Sequence, residues 1–335
     1  MLAPIANAAM LPLGAKIAVW TVAGIAAVAL LGWLLSCLVA SIWVFHSTLH
    51  RTSKEKWSRN PQNLEGDSLK MDREGHVWFH QNEDKKTDVH IVNEGLNLYG
   101  QYFDLGYDRC VMILSGRTES LRYGYYFAQP YAKAGYNVLV LDPRAHGLSD
   151  GEFNTVGFDE SRDDLAWAKF LHETYGMRSI LFHGICIGAA GGMLAITSDN
   201  CPDYIEGIVT DGMFPNFGES IKNHLRERKK PIFLLYNLIH FWMKHYTGHS
   251  INYGPINVVH KLKKPILMLY SKEDLYSRPE YAQKIFDRVG SPTKKLVWFD
   301  HGEHSMIRVT NPEAYDAAIH EFLNEQFPAV THQKQ

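Results

Sequence analysis

The pentapeptide Gly184-Ile185-Cys186-Ile187-Gly188 sets a thiol between two glycines, where an apolar run (residues 179–183) meets a small-residue segment (residues 186–197). A side chain at the centre of a strained strand-to-helix turn stands exposed above a sheet. The flanking glycines are needed because a β-carbon would clash in so tight a bend. Serine usually fills the central place, and cysteine does so in a minority of cases. A buried structural cysteine beside a tight turn would use the same residues, so the chemistry depends on partners. Two follow in the chain. Asp274 comes after an apolar run at 265–270, and His304 comes after another at 295–299. A carboxylate that orients an imidazole, and an imidazole that takes the nucleophile's proton, complete the set needed for acyl transfer. His301 is the other candidate base. It follows its strand directly and is expected to be structural, whereas the extra loop residues give His304 reach back to Cys186.

These residues need elements to position them. Runs at 88–93, 96–103, 109–114, 136–141, 179–183, 205–210, 265–270 and 295–299 read as strands. Helical patterns lie at 123–134, 158–175, 186–197 and 312–326, with Leu165, Ala168 and Leu171 marking the apolar face of the second. Alternating strands and helices imply a mostly parallel sheet covered on both faces, with sites at the carboxyl ends of its strands. Residues 213–263 interrupt the alternation with aromatic and aliphatic runs. Over 213–264 nine Lys or Arg stand against two Glu. This stretch is expected to form a helical cap over the site, its basic, apolar surface resting on anionic lipid.

The residues and their order resemble the α/β-hydrolase superfamily over about residues 85–328. Ser115-Gly116-Arg117-Thr118-Glu119-Ser120-Leu121-Arg122-Tyr123 is similar to the H-G-x-x-E-x-x-R-Y segment of the monoacylglycerol lipase and lysophospholipase branch, of serine aminopeptidase S33 type. Asp142-Pro143-Arg144-Ala145-His146-Gly147-Leu148-Ser149-Asp150-Gly151 is similar to that branch's D-x-R-G-H-G-x-S-x-G loop. Ser115 replaces the usual histidine and Ala145 a usual glycine. The elbow, with its cysteine, looks like that of the dienelactone hydrolases. The resemblance implies an α/β-hydrolase fold, with a mostly parallel central sheet, helices on both faces and a helical cap insertion. It also implies roles. Cys186 would attack an acyl carbonyl, His304 would take its proton and Asp274 would hold the ring. Backbone N–H groups of Ile187 and Arg117 would meet the oxyanion. Glu119, Arg122, Arg144 and His146 would brace loops near the site.

No cofactor is implied, and no metal. His240, His245 and His249 lie in the cap without a carboxylate or cysteine cluster. Cys110 reads as core, nothing is read into Cys201, and the glycine-rich Gly188–Gly192 segment lacks a phosphate-loop pattern. A cysteine nucleophile gives an acyl-thioenzyme, suits activated acyl groups such as thioesters or lactones, and is open to oxidation.

The chain has 335 residues and a formal net charge of −2, which leaves no global basic field for nucleic acid. Four cysteines do not make a disulfide scaffold. Residues 17–45 contain no Asp, Glu, Lys or Arg, with Trp20 and Trp43 near the ends and Trp33 within. About 20 apolar residues suffice to cross a bilayer, and indole rings favour its interfaces. A cleaved signal would want a shorter apolar region and a basic start. Leu34-Leu35-Ser36-Cys37 is a loose lipobox-like match, but the apolar run continues past Cys37. The expected organisation is an N-terminal segment (1–46) with one transmembrane helix at about 17–45, a juxtamembrane linker or helix at 47–75, and a hydrolase domain at 76–330. Lys16 and the chain amine precede the span, and Arg51, Lys54, Lys56 and Arg59 follow it, so the positive-inside tendency places the domain in the cytoplasm. The expectation is a single-pass, membrane-anchored hydrolase of carboxylic esters or thioesters, lipid-derived. The alternatives are an acyltransferase on the same scaffold, or a catalytically silent membrane-tethered binding protein. Retention of Asp274 and His304 argues against the last.

Overall fold

Alternate residues of one strand show how the molecule is layered. Cys110, Met112 and Leu114 enter one apolar core, and Val111 and Ile113 enter another on the opposite side. A side-chain period of two buried on both faces is the mark of a central strand in a sheet covered by helices on both sides. In this computed structural model, which describes residues 12–51, 64–117 and 119–328, the chain begins with α1 (Leu13–Leu49) and α2 (Gly66–Asn82). It continues through β1 (Lys86–Asn93), β2 (Leu96–Phe103), β3 (Arg109–Leu114), α3 (Leu121–Lys133) and β4 (Asn137–Leu141). Next come α4 (Phe158–Tyr175), β5 (Ser179–Ile185), α5 (Ile187–Ile196) and β6 (Ile205–Asp211). Three helices follow, α6 (Phe217–Glu227), α7 (Ile232–Thr247) and the short α8 (Pro255–Val258). The chain then returns through β7 (Ile266–Ser271), α9 (Pro279–Arg288), β8 (Lys294–Phe299), the short α10 (Ile307–Thr310) and α11 (Pro312–Gln326). Lys54, Lys56, Arg59 and Thr118 lie outside the described residues.

The sheet has eight strands in the order β1-β2-β4-β3-β5-β6-β7-β8. The pairs β1/β2 and β2/β4 are antiparallel, and every pair from β4/β3 to β7/β8 is parallel. Trp167 of α4, Met193 of α5 and Ile285 of α9 fill one core. Phe127 of α3, Ile319 of α11 and Met71 and Trp78 of α2 fill the other. The expected strands and helices are all present, most with ends shifted by a residue or two. Besides the short α10, two helices go beyond the expectation. α9 follows the site loop after β7. α2 runs on past residue 75 to Asn82, burying only Met71, Gly75 and Trp78, a narrow stripe in a charged segment. A β-carbon on Gly75 would stand 3.0 Å from the Tyr126 amide nitrogen, so glycine is what lets α2 lie so close on α3.

α6, α7 and α8 lie between β6 and β7, within the stretch expected to form a cap. Phe217, Ile221 and Leu225 of α6 and Leu235, Ile239 and Met243 of α7 share a third apolar cluster with Ile187 and Ala190 of α5. α1 joins that cluster. It is one unbroken helix of 37 residues, long and apolar enough to cross a membrane by length and composition. Its only buried residues are Cys37, Ser41, Phe45 and Leu49, one every fourth position and hence one stripe. That stripe faces α7: Trp242 donates its indole N–H to Ser41 Oγ at 2.9 Å, and the Phe45 and Tyr246 rings stack at 5.3 Å. Just past α1 the backbone pairs with the loop before α4, through Arg51 N to Glu152 O (2.8 Å) and Asn154 N to Leu49 O (2.8 Å).

Candidate active site

Cys186 occupies the turn between β5 and α5 with φ 54° and ψ −111°, a conformation that costs an ordinary residue free energy and persists only where surroundings enforce it. The surroundings here are backbone. A β-carbon on Gly188 would lie 2.0 Å from the Leu114 carbonyl oxygen, and one on Gly184 would lie 2.4 Å from Ala189 Cα. The Cys186 amide donates to the Asp211 carbonyl at 2.9 Å, tying the turn to the end of β6. Ile187 is the first residue of α5, so its N–H has no helical acceptor and the positive end of the helix lies at the thiol. The loop after β3 abuts the same group: a β-carbon on Gly116 would stand 3.6 Å from Cys186 Cβ. The Ile187 and Arg117 backbones thus both lie next to the thiol.

His304 reaches back into this turn. Its Nδ1 donates to Asp274 Oδ2 at 2.7 Å, which leaves Nε2 as the ring nitrogen available to Cys186. Burial opposes charge on the ring, but the sulfur of Cys186 and the carboxylate of Asp274 outweigh it and hold the imidazolium well above its ordinary range. Asp274 is fixed in turn, its Oδ1 accepting the backbone N–H of Tyr276 (2.8 Å) and of Ser277 (2.7 Å). Gly212 has φ +60°, and a β-carbon there would stand 3.3 Å from the His304 ring and 3.4 Å from Asp274 Oδ2. A glycine at this corner leaves room for the pair. His301 points away, largely exposed, and meets Glu273 at 3.0 Å.

The bracing residues divide. Arg144 is buried and holds Asp163 through two hydrogen bonds, Nε to Oδ2 at 2.6 Å and Nη2 to Oδ1 at 2.7 Å, with Glu94 and Asp159 also in reach. Next to it, His146 takes the Arg144 carbonyl at 2.8 Å from Nδ1; burial pushes its pKa down to about 4, so the ring is neutral. Glu119 is buried with its carboxyl against Gly116. Arg122 lies farther out and ties α3 to α2 through Asp72 at 3.2 Å. Asp142 had not been singled out, yet it joins the two motif loops: Oδ1 accepts the Leu121 amide and Oδ2 the Leu148 amide, each at 2.8 Å. Ala145, in place of a usual glycine, carries the positive φ (62°) that explains the glycine. Of the cap histidines, His249 ties the cap to α4 through Asp159 at 2.7 Å, and His240 meets Ser250 within the cap at 3.0 Å.

Asp211 is a neighbour of the site that strand boundaries concealed. It is fully buried at the end of β6, beside the elbow, with Oδ2 accepting from Tyr315 at 2.8 Å and Oδ1 without a hydrogen-bond partner among the described residues. Burial pushes its pKa up to about 7, against the pull of the Tyr315 hydrogen bond and of His304. Behind it, His183 lies between the hydroxyls of Tyr131 (2.6 Å) and Tyr315 (3.3 Å).

Comparison with known proteins agrees with this architecture. Residues 110–235 match a family model described as alpha/beta hydrolase fold. An uncharacterized protein of Bacillus subtilis (strain 168), YqkD, is 28% identical over 217 residues, 64% of this chain and 70% of that protein. Among solved structures, the Pyrococcus furiosus esterase Pf2001 is similar at 26% identity and a TM-score of 0.61, over 74% of this chain and 94% of its own. The alpha/beta hydrolase GrgF from Penicillium sp. sh18 shares the fold at 15% identity and a TM-score of 0.58, over 73% of this chain and 99% of its own. The chain has the α/β-hydrolase fold, and its likenesses support a hydrolase of the esterase kind at that general level.

Proposed function

We propose that the chain is a membrane-anchored hydrolase of carboxylic esters or thioesters that works through Cys186, His304 and Asp274. The observation that carries the reading is the His304–Asp274 hydrogen bond of 2.7 Å, together with a cysteine held in the strained turn between β5 and α5. In the first half-reaction Cys186 Sγ, its proton already held by the His304 imidazole, bonds to the acyl carbon. The carbonyl electrons move onto oxygen, where the N–H groups of Ile187 and Arg117 meet them. As the intermediate collapses, the bond to the alcohol or thiol breaks and the leaving group takes the proton from His304. Water then attacks the acyl-thioenzyme, giving its proton to the same nitrogen. The carbon–sulfur bond breaks, and the acid leaves. Asp274 keeps the ring in the tautomer that both halves require.

Two features support a lipid-derived acyl group and an anchor. Cys186 packs against the apolar cluster built from α1, α6 and α7, and the first two dozen residues of α1 leave their apolar side chains exposed. A bilayer would cover that surface, with the cations around α6 near anionic headgroups and the hydrolase domain on the cytoplasmic side. The test uses the full chain in detergent micelles with p-nitrophenyl esters and acyl-thioester probes of several lengths, read by intact mass. An acyl adduct on Cys186, absent from Cys186→Ala, is the expected result. The same null from both proteins at every length would replace catalysis by binding.

A further inference from the structure

Arg117 follows Gly116 in the loop that abuts the nucleophile, and its side chain is as well placed as its backbone. The guanidinium is half-buried, and among the described residues its one hydrogen bond runs from Nη1 to the Thr48 carbonyl at 3.1 Å, in the last turn of α1. An arginine carries five N–H donors and does not lose its charge. Among the described residues no carboxylate forms an ion pair with Arg117, in contrast to Arg144 with its three acidic partners and Arg308 with Asp316. Burial therefore depresses the guanidinium from its ordinary value, with Cys186, Glu119 and Tyr276 opposing.

Both ends of Arg117 lie near the thiol: its backbone follows Gly116, and Thr48 precedes Leu49, which shares an apolar cluster with Ile187 and Cys186. The Tyr276 ring stands 5.3 Å from His304 and 5.1 Å from His224 of α6, so one aromatic links the catalytic imidazole to the cap. Burial first, then the Arg228 charge, push the His224 imidazole down from its ordinary value, with Arg117 adding in the same direction. Leu275 and Tyr276 are 59% and 40% exposed, so this side of the site opens to the outside. On this side the Tyr276 and His224 rings line the way to His304, with Arg117 in the loop that abuts Cys186.

We infer that the Arg117 side chain is a specificity residue, and that the acyl substrate carries an anionic group, phosphate or carboxylate, close to its scissile carbonyl. This rests on Cys186 being the nucleophile. A guanidinium presents a planar fork that matches both anions, and it is worth most where water is excluded. The Thr48 carbonyl holds the fork from α1, leaving its remaining donors for substrate. A neutral ester would leave them unmet next to the reacting atoms.

The test needs no knowledge of the substrate. The full chain in micelles is alkylated at Cys186 with iodoacetate, an anion, and with iodoacetamide, its neutral analogue, and the two rates are taken as a ratio. The expected ratio is about tenfold above that of glutathione and falls about fivefold or more in Arg117→Met, with Arg117→Lys between, as a local charge requires. An unchanged ratio in Arg117→Met would reduce the residue to a cap on α1 and overturn the inference. Should that variant not fold, protection in the wild-type chain decides. Inorganic phosphate or acetate slows iodoacetate while glycerol does not, and whichever anion protects at the lower concentration names the group. Equal indifference to all three overturns the inference. Resistance of Cys186 to both alkylating reagents would instead remove the nucleophile reading, and this one with it.

Discussion

Two carboxyl groups stand at the ends of neighbouring parallel strands, both buried, both within electrostatic reach of His304, and they are built for opposite states. Asp274, after β7, accepts three hydrogen bonds, from the imidazole and from two backbone amides. Asp211, closing β6, accepts one from Tyr315 and has an oxygen with no partner among the described residues. Donors in that number favour a carboxylate, whereas burial without them favours the protonated acid. The difference teaches that position at a strand's carboxyl end does not assign a catalytic acid; the loop that wraps the side chain does. β7 is followed by a turn whose N–H groups converge on Asp274. β6 is followed by Gly212, whose lack of a side chain leaves room for His304 against Asp274.

Exchanging the roles is the strongest way to break this contrast. Asp274→Asn should lower kcat by about 10²–10⁴-fold, since an amide no longer holds the required tautomer. Asp211→Asn should stay within about tenfold of wild type. Steady-state kinetics on one activated ester measures both, and the reverse ranking would assign the orienting acid to Asp211.

Stability should respond to the other residue. The folded pKa of Asp211 is raised from 3.8 to about 7, so the folded chain keeps a proton there that the unfolded chain releases. Its contribution is therefore whole below about pH 4, declines as pH rises toward 7 and is flat above that. At about 1.4 kcal/mol per unit, the decline amounts to at most roughly 4 kcal/mol. Asp211→Asn should remove it, melting higher than wild type at pH 8 and near wild type at pH 4. A difference in Tm that does not change with pH would show that Asp211 is ionised in the fold. The smallest effect sharpens the comparison. Tyr315→Phe deletes the one hydrogen bond that Asp211 accepts, so the decline should extend to higher pH and cost about 1 kcal/mol at neutral pH. Thermal melts across the same pH series would detect it, and an unmoved profile would make Tyr315 irrelevant to the charge on Asp211.

The sequence made much of this legible because the patterns involved are local. Residues 158–175 and 312–326 begin and end where the spacing put α4 and α11. Cys186, Asp274 and His304 were visible because each stands just past an apolar run. Asp211 was hidden by one residue: the run was read as ending at Thr210, and a carboxylate counted inside a strand carries no signal. α2 was undecided between linker and helix because its buried stripe is three residues in a charged segment. The Arg117 side chain could not be read at all, since the carbonyl that holds it belongs to a residue 69 positions earlier. Contacts of that kind come from packing two elements whose own patterns say nothing of each other.

α1 enters the catalytic body without a swivel. The same helix that is bare at Trp20 is locked at Phe45 and Leu49, and its end is stitched to the loop before α4 and to Arg117. A continuous helix passes on rotation and bending, so whatever grips its first half also sets the attitude of the body. On the proposed anchor, the thiol works like a stylus on a fixed arm. It stays at one height above the leaflet and one angle to it, and substrate has to rise to meet it.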